Sequence, residues 1–155
     1  MLQENAQQQA VSALVLLRLR MKMSDYKFIL PIYGIAKPKK GALTQSLNVN
    51  WYRNAYHRSS NDAKKKFKAH VRPQIEQFDP IEGKVKIKYV FYAKSNNSPD
   101  LDNFVGTVKK FFQDAIVECG LLPDDNVNYI VANSEVYGGI DKDNPRVEAF
   151  ITVLD

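Results

Sequence analysis

The stretch Lys84-Val85-Lys86-Ile87-Lys88-Tyr89-Val90-Phe91-Tyr92 opens on a strict alternation of charged and apolar side chains. An extended chain puts every second side chain on the same face, so this stretch predicts a β-strand with one side on a core. Segments on either side carry the other period. Phe67, Val71, Ile75 and Phe78 recur every three or four residues, which aligns them on one face of a helix over about residues 61–78. Pro73 is placed to kink or end that helix. Val105, Val108, Phe112, Ile116 and Cys119 form a second stripe, closed by Gly120, the usual residue at a helix stop. The run Tyr26 to Ile35 reads as a strand that bends at Pro31 or lies at a sheet edge, because proline offers no ladder donor. Residues 43–57 are polar and aromatic and show neither period. Two more strands are expected at about residues 129–137 and 147–154, with Gly138-Gly139 and Asp141 to Asn144 as the turn between them. The order β-α-β-α-β-β describes one small α/β (α+β) domain, a mixed β-sheet with two helices packed on it. A chain of 155 residues, 45% of them apolar, suffices for one such core and is short for two.

The alternation does not extend to the N-terminus. Ala10 to Leu17 is an apolar run of eight residues, well short of the roughly 20 that span a bilayer. Arg18, Arg20 and Lys22 follow it, whereas a secretory signal carries its positive charges first. Met21 and Met23 stand just before the first strand. Residues 1–22 therefore read as a loose or weakly helical tail, dispensable to a domain covering 23–155. Cys119 is the single cysteine, which excludes an intrachain disulfide and a Cys-rich zinc site and suits a reducing cytoplasm.

Charge is divided along the chain. Residues 37–94 hold fourteen Lys/Arg against four Asp/Glu, and residues 95–155 hold four against eleven. A polyanion-binding half followed by an acidic half fits a protein that holds phosphates with one part and a metal with the other. Within the acidic half, Asp100 and Asp102 fall where a strand gives way to a helix. In an extended backbone such residues point the same way, about 6.5 Å apart at Cα. Asn103 offers a neutral oxygen or a helix cap, and Asp124-Asp125 follows the Gly120 stop, where the chain can return with a third carboxylate. Two unit charges about 4 Å apart repel by about 4 kcal/mol at an effective dielectric near 20. A hard divalent cation relieves that repulsion, and oxygen-only ligands suit Mg²⁺, with Mn²⁺ as the alternative.

The combination of Asp100-Leu101-Asp102-Asn103, Asp114-Ala115-Ile116, Gly120 and Asp124-Asp125, in that order after a strand, resembles the RusA family of Holliday-junction resolvases. The Leu30-Pro31 strand and the basic helix agree with it, and Gly138-Gly139-Ile140-Asp141 with Asn144-Pro145-Arg146 is similar to the closing hairpin of some phage-borne members. The resemblance implies a homodimer that cuts four-way DNA junctions with Mg²⁺, in the cytoplasm of a bacterial host cell if phage-encoded. It also implies catalytic, metal-binding roles for Asp100, Asp102 and Asp125, with Asp124 a structural neighbour. In much of that family a lysine follows the second aspartate by four residues, where this chain has Gly106. Counting back from Asp114 places Lys110 at that position. Lys109 competes, because seven residues return it close to the azimuth of Asp102. A lysine there would stabilise charge on the scissile phosphate or the leaving oxygen.

Lys64, Lys65, Lys66, Lys68 and Arg72 on the basic helix, with Arg53, are the candidate phosphate contacts. The run Trp51 to His57 mixes aromatic and cationic side chains, as nucleic-acid surfaces do, although Trp51 and one tyrosine also suit a core. His57 and His70 read as surface residues without metal spacing. Nucleotide-binding glycine fingerprints are absent, and Asp141-Lys142-Asp143-Asn144 lacks the glutamate that closes a calcium loop. Gly106 in the lysine position keeps a second class open, a non-catalytic nucleic-acid-binding protein on the same fold.

Overall fold

The computed structural model describes Gln8, residues 26–97 and residues 99–154. Apart from Gln8, the segment expected to be a tail lies outside the described residues. Four strands, β1 (Tyr26–Pro31), β2 (Lys84–Ala93), β3 (Ile130–Ile140) and β4 (Arg146–Leu154), and three helices, α1 (Val49–Asn54), α2 (His57–Ile75) and α3 (Leu101–Glu118), follow in the order β1-α1-α2-β2-α3-β3-β4. The mixed α+β architecture matches the expected order, with one addition. The short α1, six residues long, lies in the stretch that showed no period.

The sheet order is β1-β4-β2-β3. β4 runs antiparallel to both β1 and β2, whereas β3 runs parallel to β2. The expected hairpin between the last two strands therefore does not form, because β2 lies between them. Parallel neighbours need a long crossover, and α3 supplies it. Gly138 and Gly139 belong to β3 rather than to a turn. Gly138 is the extra residue where the β2–β3 register shifts, and a Cβ there would stand 2.7 Å from the Tyr92 ring. Residues 141–145 make the connection over the end of β2. Asp141 N–H donates to Ala93 O at 2.8 Å, and Arg146 reaches back to Asp141 at 2.7 Å while covering the Tyr92 ring.

Strand β1 is the expected edge, with Pro31 as its last residue. Its outward backbone is covered by α2, whose Gln74 amide accepts from Ile29 N–H and donates to Ile29 O, each at 2.8 Å. A capped edge cannot template another strand at that residue. Pro73 sits within the last turn of α2, two residues from its end, and leaves the helix intact through Ile75.

The core lies between the sheet and the helices. Phe67, Val71 and Ile75 of α2 are buried, as are Val105, Val108, Phe112 and Ile116 of α3. Phe112 meets Phe28 of β1 at 5.2 Å and Tyr89 of β2 at 6.2 Å between ring centroids. Burial pushes the Tyr89 phenol well above its ordinary pKa, and its hydroxyl accepts from Gln113 at 3.0 Å. Truncating a fully enclosed aromatic ring costs about 3–5 kcal/mol. Phe112→Ala should lower unfolding free energy by that amount in chemical denaturation, and a loss under about 1 kcal/mol would show that α3 is not anchored there.

Candidate functional site

Three contacts place the start of α3. Phe104, in its first turn, stacks on Phe91 of β2 with centroids 5.1 Å apart. Asp100 is the N-cap, and its Oδ1 accepts from the Asp102 N–H at 2.9 Å and the Asn103 N–H at 3.4 Å. Asn103 Oδ1 accepts from Asn50 N–H of α1 at 3.2 Å. Asp100 and Asp102 are thus brought together, but by helix capping rather than by an extended strand, since Asp102 is already helical. Asn103 serves neither as the cap nor as a free oxygen, being committed to α1. Both aspartates are exposed. The aligned N–H groups at a helix start favour negative charge nearby, which eases the repulsion between two adjacent carboxylates.

Asp125 is elsewhere. It follows α3, whose 18 residues span about 27 Å. The segment that carries it is held at the opposite end of the sheet, where Ile81 N–H donates to Leu121 O and Val85 N–H to Tyr129 O. The expected return of a third carboxylate to Asp100 and Asp102 does not occur within one chain. Among the described residues, no group of three His, Cys, Asp or Glu side chains is placed to hold a metal ion. Asp124 caps its own turn, with Oδ1 accepting from Asp125 N–H at 2.7 Å and Oδ2 from the Asn126 amide at 2.9 Å.

The two lysine candidates separate. Lys109 is tied to Glu135 of β3 at 2.8 Å, which pins α3 to its crossover strand. Lys110 is exposed and makes no ion pair among the described residues. Gly106 has a packing reason. A Cβ there would lie 2.8 Å from Val49 Cγ2, so α1 rests on this glycine.

The basic helix is half-spent on structure. Lys64 pairs with Asp114 and Lys68 with Glu118, both at 2.8 Å, joining α2 to α3. The hydrogen bond to Asp114 raises the Lys64 pKa further above its ordinary value. Arg72 makes a loose 3.9 Å contact with Glu76 of the next turn. Lys65, Lys66 and Arg53 project into solvent, as do His57 and His70. Trp51 and Tyr52 pack partly against the core, whereas Tyr56 is 86% exposed. The pairing of Lys64 with Asp114 was open to sequence reading only if the two helices were known to be neighbours. No helix among the described residues is long and apolar enough to cross a membrane.

No protein-family model matches the chain, and no curated protein matches it.

In an exposed helix, Gly→Ala normally gains about 1 kcal/mol. Here the new methyl must displace Val49, so Gly106→Ala should leave the denaturation midpoint unraised. A full gain would mean that α1 is not seated on α3.

Proposed function

We propose that the chain is a RusA-like, Mg²⁺-dependent, structure-selective endodeoxyribonuclease that resolves four-way DNA junctions by paired nicking as a homodimer. Its setting in this reading is the cytoplasm, that of a bacterial host cell if the chain is phage-encoded. The observation that carries the reading is the exposed Asp100–Asp102 pair at the start of α3, within the ordered motif that continues through Asp114, Gly120 and Asp125.

The donor set suits the metal. Asp100 and Asp102 offer hard oxygens in water, and Mg²⁺ is commonly held by one or two carboxylates plus water and substrate phosphate. When bound, the cation would supply an activated water and charge stabilisation at the phosphate. Asp100 Oδ1 is engaged in capping, which fixes the carboxylate, and its second oxygen takes no part in the capping bonds. Asp125 stands too far away to join from the same chain. In a two-fold dimer, the Asp125 of one copy can complete the Asp100–Asp102 pair of the other, and such symmetry matches a junction with two strands to nick. Lys110 is the lysine available to a phosphate, since Lys109 is neutralised by Glu135. Lys65, Lys66 and Arg53 would hold the backbone without reading sequence.

The second reading, a non-catalytic nucleic-acid-binding protein, draws on one observation: a single copy gathers two of the three aspartates. The two readings part on a labelled four-way junction. With Mg²⁺ the wild-type chain should introduce paired nicks and leave a matched linear duplex intact. EDTA or Asp102→Asn should abolish cutting while sparing binding. Binding without cutting in either buffer would favour the second reading, and undiminished cutting by Asp102→Asn would sink the site assignment.

A further inference from the structure

A pocket of about 460 Å³ opens between the loop after β1 and the helix α1, within the range of roughly 300–1,000 Å³ usual for small-ligand sites. Its walls combine two cations, Lys37 and Lys39, with two aromatic rings, Trp51 and Tyr56, and side-chain amides including Gln45 and Asn54. No carboxylate lines it among the described residues. Lys37 and Lys39 are exposed and make no ion pair there either. Trp51 rests partly on the core, so its ring is held rather than mobile. Tyr56 is a large ring left 86% exposed, which core packing does not explain.

We propose that this pocket is a subsite for one unpaired nucleobase of a DNA strand, with Trp51 and Tyr56 as its stacking surfaces and Lys37 and Lys39 on the flanking phosphates. The chemistry selects this occupant. Aromatic rings stack on a base face, cations take the backbone, and amides meet the base edge. A base inside a duplex already has both faces covered, so the subsite takes a base that has left its stack. The position is equally specific. Asn50 N–H reaches Asn103 Oδ1, next to Asp102 in sequence, and Val49 sits on Gly106. The helix that carries Trp51 is therefore fixed to the helix that carries the carboxylates. A base held in the pocket sets the register of its own strand across Asp100 and Asp102. This rests on the proposed nuclease reading, and it accounts for how a branched substrate, whose bases can unstack at the exchange point, is preferred to a linear one.

Trp51 is the chain's single tryptophan, so its fluorescence reports the pocket directly. Full-length protein in EDTA is titrated with a short thymidine oligonucleotide, an abasic strand of equal length and a linear duplex. The thymidine strand should quench Trp51, and the abasic strand should bind at least about fivefold more weakly without quenching. Tyr56→Ala should weaken the thymidine strand by at least about fivefold with unfolding unchanged, because the ring is exposed. Equal quenching by the abasic strand, binding without quenching, or no binding would each overturn the subsite. Junction cutting is scored on the same preparation with Mg²⁺. Cutting without quenching removes the subsite and leaves the nuclease, whereas quenching without cutting does the reverse.

Discussion

The arrangement of the molecule depends on the burial of one helix face. Val105, Val108, Phe112 and Ile116 lock α3 to the sheet, and parallel pairing of β2 with β3 requires that helix to run back along the strand it has just left. The start and the end of α3 are consequently opposite ends of the domain. Asp100 and Asp102 belong to one end and the Asp125 segment to the other. No loop adjustment of a few ångströms joins them, because moving Asp125 would pull Leu121 and Leu122 from the core, where each is about 1% exposed. In the proposed reading, a site that uses all three aspartates forms between two copies.

The same packing decides which charges remain for a ligand. Asp114, Glu118 and Glu135 consume Lys64, Lys68 and Lys109 in ties between elements. Pairs that keep contact with solvent contribute little to stability, on the order of 0–1 kcal/mol each; these half-buried ones orient helices and withdraw cations from solvent. Lys37, Lys39, Lys65, Lys66 and Lys110 are left exposed. Gly106 is the complement of this arrangement. A lysine at that position would occupy the place where Val49 rests, and the seat of α1 would be lost. The glycine that departs from the RusA pattern the sequence resembles thus seats the helix that lines the aromatic pocket.

Local periodicity carried most of the fold. The β2 alternation, the α3 stripe, Gly120 as the stop of α3 and Pro31 on an edge strand stand as the sequence implied, whereas the α2 stripe holds only through Ile75, with Phe78 past the helix end. What depended on non-local pairing was not legible. The closing strands look like a hairpin because Asp141 to Asn144 is turn-rich, yet hydrogen bonding places β2 between them. The six residues of α1 are too few to show a helical stripe, and its signal was a single capping asparagine, Asn48, which accepts from Trp51 N–H at 2.8 Å. The proximity of Asp100 and Asp102 was readable from their spacing, although capping rather than strand geometry produces it. The distance to Asp125 was not, since it follows from the direction of β3. Likewise, counting left Lys109 in competition with Lys110, and what separates them is that Glu135 ties down Lys109 while Lys110 stays exposed.

The most direct test of this account mixes two inactive chains. Asp102→Asn and Asp125→Asn are purified separately, combined, allowed to exchange subunits and assayed on a four-way junction with Mg²⁺. If each site draws Asp100 and Asp102 from one copy and Asp125 from the other, every mixed dimer keeps one intact site. The mixture should then recover nicking at about a quarter of the wild-type sites, while neither parent cuts. A mixture as inactive as its parents, beside an active wild-type dimer, would contradict the shared site.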